Sequence, residues 1–170
     1  MPRRYFDFEP GFYYHIFNRS KTRNTIFLES SDYQRFYDNL VRFQDDFKNL
    51  VMVKAFCIMP NHFHLLVYLD PGVDKNVDTL IPNFMLKIQM SYAKYFNAKY
   101  STPGSIREWR YKIKKITDDS YMWAIVNYIQ KNSEKHLGIP YTQRKYRSDI
   151  KIDNSYEEVL SQIEDYILEI

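Results

Sequence analysis

The chain has 170 residues, a net charge of +3, four glycines and one cysteine. That length suits one domain with a real core, and no apolar run approaches the roughly 20 residues of a membrane span. The basic N-terminus lacks the apolar stretch of a secretory signal, and the lone Cys57 can form no internal disulfide, so a reducing, cytoplasmic setting is expected.

The segment Phe12-Tyr-Tyr-His-Ile-Phe17 reads as a first strand. His15 stands alone there, and a solitary strand histidine is more often structural than a ligand. A polar, basic loop containing Arg19 and Arg23 follows. Ser31 with Gln34 three residues on resembles a capping box. It opens a helix in which Tyr33, Phe36, Tyr37, Leu40, Phe43 and Phe47 recur at the spacing of one buried face. Val51–Ile58 reads as a second strand, Pro60-Asn61 as a turn, and Phe63–Leu69 as a third strand that His62 opens. Side chains two apart on a strand share a face, so His62 and His64 point one way and Phe63, Leu65 and Val67 the other. Two imidazoles on a rigid strand can chelate one metal ion. They can equally be polar residues on the wet face of a half-buried sheet.

Asp70-Pro-Gly marks a turn, and a second helix is predicted from about Asn76 or Thr79 to Asn97, with Pro82 in its first turn. Arg107, Arg110, Lys112, Lys114 and Lys115 then cluster around Trp109 and Tyr111, opposed only by Glu108. Basic side chains neutralise phosphates and aromatic faces stack on unpaired bases, so this stretch suits nucleic acid. An edge strand protected by lysines has the same composition. Tyr111–Ile116 reads as a fourth strand. A third helix is predicted from Thr117 or Asp118 to about Asn132, with Met122, Ile125, Val126 and Ile129 as its apolar stripe. Tyr128 lies beside that stripe, and Asn132 sits four residues later on the same face. Residues 153–170 outline a fourth, amphipathic helix with six acidic residues and no lysine or arginine, so the preceding 152 residues carry +9. A basic body suits an anionic partner.

The order of elements predicts an α+β fold: an antiparallel sheet of about four strands with helices packed on it, a ferredoxin-like sandwich, plus the acidic C-terminal helix. Residues 1–152 would form the catalytic domain, with 153–170 packed on it.

Met-Pro-Asn-His-Phe-His-Leu-Leu-Val, residues 59–67, resembles the signature of the HUH single-tyrosine transposases, closest to the REP-associated tyrosine transposase branch. Tyr121-Met-Trp-Ala-Ile-Val-Asn-Tyr-Ile-Gln-Lys-Asn132 resembles that family's catalytic helix. Tyr92 to Tyr100, Gly104 to Lys112 and Tyr146-Arg-Ser also match family landmarks, so the resemblance covers most of residues 11–150. It implies that His62, His64 and Asn132 bind a divalent metal, Mg²⁺ or Mn²⁺, and that Tyr128 attacks single-stranded DNA beside a hairpin. Attack would leave a 5′-phosphotyrosine and a free 3′-OH. The family often has proline after that asparagine; Ser133 here should alter the helix end rather than the chemistry. Arg19, Arg23, Arg107, Trp109, Arg110, Lys112, Lys114 and Lys115 are the candidate DNA contacts. The family implies a bacterial, nucleoid-associated protein with no membrane or small-molecule partner. It includes both monomers and homodimers with exchanged helices. Tyr121, one heptad before Tyr128, is the rival nucleophile. The competing functions are an idle DNA or RNA hairpin-binding module of the same fold and a zinc hydrolase. The latter would want a carboxylate near the histidines.

Overall fold

The structure is a computed structural model that describes residues 6–19, 25–102 and 111–137, with Arg19 and residues 130–137 described through the backbone alone. The acidic segment 153–170, Arg23, Arg107, Trp109 and Arg110 lie outside the described residues.

The described elements are β1 (Tyr13–Arg19), α1 (Ser30–Asp46), β2 (Val51–Met59), β3 (His62–Leu69), α2 (Val77–Tyr100), β4 (Lys112–Ile116) and α3 (Asp119–Leu137). The strands form one antiparallel sheet in the order β2-β3-β1-β4. This is the expected α+β sandwich.

The sheet separates two apolar clusters. Phe63, Leu65, Val67 and Leu69 of β3 join Tyr14 and Ile16 of β1 in a core with Phe36, Leu40, Phe84, Ile88 and Tyr92 of α1 and α2. On the other face Leu66, Cys57, Met59 and Ile116 pack against Ala124, Ile125, Val126, Tyr128 and Ile129 of α3. Strand alternation alone sends successive β3 residues to opposite cores. In β2 an irregularity between Val53 and Ala55 breaks that alternation. Val51 and Val53 stand over the α1–α2 core, but past the bulge Cys57 and Met59 stand on the α3 face.

Three local expectations differ from what forms. α1 starts at Ser30 with Glu29 as its cap, rather than at Ser31. Asp32 accepts the N–H groups of Leu28 (2.8 Å) and Glu29 (3.1 Å), while Gln34 turns to Asp38 (2.6 Å). α2 starts at Val77, within the expected range, but Pro82 then lies inside the helix and not in its first turn; it forgoes one backbone hydrogen bond there. α3 runs past Asn132 to Leu137. Ser133 supplies the N–H that a proline would lack, so nothing stops the helix at that point.

The histidine strand is anchored from outside the sheet. Pro60, in the two-residue turn before it, accepts hydrogen bonds from the N–H of Ile26 (2.7 Å) and Phe27 (3.0 Å). The buried hydroxyl of Tyr92 in α2 donates to the Ile26 carbonyl at 2.6 Å.

Candidate active site

His62 and His64 stand on the α3 face of β3, as alternation requires. Their rings lie 5.3 Å apart at 81°. The side-chain oxygen of Asn61 lies 2.5 Å from Nδ1 of His62. An amide oxygen can only accept, so this contact requires a proton on His62 Nδ1; in the neutral ring the lone pair is then on Nε2. His64 is buried, and its Nε2 has no hydrogen-bond partner among the described residues. Its Nδ1 lies 3.0 Å from Nε2 of His15.

His15 arrives from β1, next to β3 in the sheet. The register pairs His15 with Leu66 and Phe17 with His64, so all four side chains share the α3 face. Phe17 stacks on His15 at 4.7 Å and on His64 at 5.8 Å, which restrains both imidazoles. Burial lowers the His15 pKa to about 3, helped by the nearby Lys114 ammonium. Burial, with His15 and His62 as neighbours, takes His64 well below the usual histidine value. Both rings are therefore neutral across the physiological range, the form that metal ligation needs. Sequence reasoning set His15 apart as structural. Only the pairing of β1 with β3 brings it to His64, across 49 residues.

α3 carries Tyr128 over this face. Tyr128 is 7% exposed, and its ring meets His64 edge to face, with centroids 5.1 Å apart. Asn132 follows one turn later in the same helix. Tyr121, the rival, instead lies under the Lys114 ammonium, 4.0 Å from its ring centre.

The three lysines among the candidate DNA contacts separate. Lys112 and Lys114 pair with Phe17 and His15, which puts them on the histidine face. Lys115 stands on the opposite face, over the Phe12 ring at 3.8 Å and in an ion pair with Glu9. The backbone register places Arg19 opposite His62. Among the described residues no group of three or more His, Cys, Asp or Glu side chains could hold a metal ion. Asp70, the acid a hydrolase would want, is at the far end of β3 and accepts the Gly72 N–H at 2.8 Å. An open groove of about 680 Å³ lined by Arg35, Ser91, Lys94, Tyr95, Ala98 and Lys99 includes none of the predicted site residues.

Two imidazoles on one sheet face thus meet a tyrosine carried by α3 of the same α+β chain. The family model described as "Transposase IS200 like" matches residues 10–132. The chain belongs to this family of IS200-like transposases and is an enzyme of the transposase class. The match spans β1 through Asn132 and so includes every element of the site.

The chain is also similar to solved structures. A REP-associated tyrosine transposase bound to a REP hairpin superposes with a TM-score of 0.56 at 19% identity, covering 82% of this chain and 75% of that one. A crystal structure of a transposase candidate from Deinococcus radiodurans R1 gives 0.47 at 18% identity, covering 78% of this chain and 96% of that one. At these identities the first shares the fold. None of the curated proteins compared matches the chain. Among the described residues no helix is long and apolar enough to cross a membrane.

Proposed function

We propose that the protein is a divalent-metal-dependent single-stranded DNA nickase and strand transferase that acts beside DNA hairpins through a 5′-phosphotyrosine. One observation carries this reading: the Tyr128 ring packs against His64, whose buried Nε2 has no partner among the described residues. The hairpin substrate is supported by the REP hairpin bound to the similarly folded transposase.

His62 and His64 would hold the cation through Nε2, with Asn132 as the third ligand by resemblance; two neutral imidazoles and an amide oxygen leave positions open for phosphate oxygens. When bound, Mg²⁺ or Mn²⁺ polarises the scissile phosphate and offsets the charge that grows on it. The chain's own residues do the rest. The Tyr128 oxygen loses its proton to water and forms a bond to phosphorus. The bond from phosphorus to O3′ breaks, its electron pair stays on O3′, and that oxygen takes up a proton to become a free 3′-OH. The protein–DNA bond remains a phosphodiester, so rejoining needs no external energy source. Lys112 and Lys114 would guide the phosphates of the strand on the histidine face, together with Arg19, Arg23, Arg107, Trp109 and Arg110. Lys115 faces away from this path.

The test is cleavage of labelled single-stranded hairpin oligonucleotides, drawn from repeats flanking the gene, with Mg²⁺ or Mn²⁺. Wild type should give a covalent adduct on a denaturing gel, and Tyr128→Phe none. An adduct that survives in Tyr128→Phe and disappears in Tyr121→Phe would move the nucleophile. Hairpin binding with no adduct in either metal would favour the idle binding module.

A further inference from the structure

The hydrogen bond between His15 and His64 fits two proton arrangements. In one, His15 donates from Nε2, and His64 must carry its own proton on Nε2. In the other, His64 donates from Nδ1 and keeps a lone pair on Nε2. The first puts a proton on the Nε2 of His64 and so blocks ligation there; each arrangement leaves one buried N–H without a partner among the described residues, His64 Nε2–H in the first and His15 Nδ1–H in the second, so burial alone does not choose between them. The second presents a bare lone pair to the face where His62 and Tyr128 converge.

We propose that His15 is a positioning residue that holds His64 in the Nδ1–H tautomer and so presents its Nε2 lone pair to the divalent cation. The inference rests on the metal reading above. Three features support it. His15 Nε2 lies 3.0 Å from His64 Nδ1, and both rings are buried, so water does not compete for the bond. The rings of His15 and His64 lie within 17° of parallel, and Phe17 stacks on each, which fixes the plane of His64. Finally, the neighbouring ligand is set in the same way. Asn61 accepts from His62 Nδ1 at 2.5 Å and assigns the lone pair of that ring to Nε2. Two different acceptors, one in the hairpin turn and one on the adjacent strand, thus orient two imidazoles in the same sense. His15 would not be a ligand itself, since accepting at Nε2 leaves its proton on Nδ1. Acceptors of this kind around a metal-bound histidine fix its tautomer and raise its basicity.

The first readout needs no variant. Long-range ¹H–¹⁵N correlation spectra of the metal-free protein report the tautomer of each histidine ring. His64 is expected as the Nδ1–H form, and finding it as the Nε2–H form overturns the proposal. The second readout is Mn²⁺ binding to the protein without DNA, by calorimetry and electron paramagnetic resonance. His15→Phe should weaken binding by about 10–100-fold. His15→Gln, which can offer an amide oxygen in place of Nε2, should restore most of it. Unchanged Mn²⁺ affinity in a folded His15→Phe protein also overturns the proposal. If wild type binds no Mn²⁺ at all, the metal reading falls, and the tautomer spectra still decide the role of His15. If His15→Phe fails to fold, shown by loss of its thermal transition, the wild-type tautomer and the His15→Gln titration carry the test.

Discussion

The Asp32 carboxylate accepts five hydrogen bonds, and its removal should cost stability without touching the chemistry. Its carboxylate is fully buried at the start of α1. One oxygen accepts Tyr95 (2.9 Å) and Lys99 (2.8 Å); the other accepts Tyr100 (2.7 Å) and the N–H groups of Leu28 and Glu29. One residue thus caps α1 and ties it to the end of α2. Breaking a buried, hydrogen-bonded pair by deleting one partner costs about 3–5 kcal/mol. Lys99 is 26% exposed and keeps Glu29 as a partner, so Asp32→Ala belongs at the lower end, about 3 kcal/mol. With a urea slope of about 2 kcal/mol per molar, the midpoint should fall by roughly 1.5 M. Asp32→Asn keeps one oxygen for the helix cap and loses the charged bond to Lys99, so about 1.5–3 kcal/mol is expected. A midpoint for Asp32→Ala that stays within about 0.3 M of wild type would refute the reasoning.

The same residue sets a pH dependence. Burial pushes the Asp32 carboxyl up, but hydrogen bonds from Lys99, Tyr100 and the Glu29 and Leu28 N–H groups outweigh it and hold the carboxyl below its usual value. A group with a depressed folded pKa stabilises fully above its unfolded pKa, about 3.9, and that stabilisation is lost as pH falls through the folded value. The gap between wild type and Asp32→Asn in urea should therefore be constant near neutrality and close below about pH 4.

Other outcomes are expected. Lys112→Ala and Lys114→Ala should each weaken single-strand binding and reduce the salt slope by about 0.7, whereas Lys115→Ala should leave the slope unchanged; a filter-binding titration against salt separates them. Mixing His64→Ala with Tyr128→Phe should not restore the adduct, because both groups meet within one chain; restored cleavage would mean that helices are exchanged between subunits. Burial raises the Cys57 thiol to about 12, so a thiol reagent at pH 8 should leave the native protein unmodified and label it only in denaturant.

Much of this architecture could be read before the fold was known, because it rests on local periodicity. Alternation along Phe63–Leu69 assigned both histidines to one face, and the helical spacing of Phe36, Leu40 and Phe43 assigned the buried side of α1. What escaped reading depends on partners far away in the chain. His15 looked ordinary because its neighbour is fixed by the pairing of β1 with β3. The start of α1 was misplaced because Asp32 is held there by Tyr95, Lys99 and Tyr100, more than 60 residues on. The bulge in β2 has no local signature, yet it decides that Cys57 and Met59 join the site face.

The position of β3 inside the sheet constrains how this chain can change over generations. β3 is hydrogen-bonded on both sides, to β2 and to β1. One residue gained or lost within it would turn every later side chain over. An insertion just before His62 could be absorbed in the turn, but one between His62 and His64 would drive one imidazole into the core filled by Phe36 and Phe63. Such length variants should be purged even where point substitutions survive. Among the described residues β4 has only β1 beside it. Length changes next to it leave the histidines in register, so the lysine-bearing edge can drift in length while the histidine strand cannot.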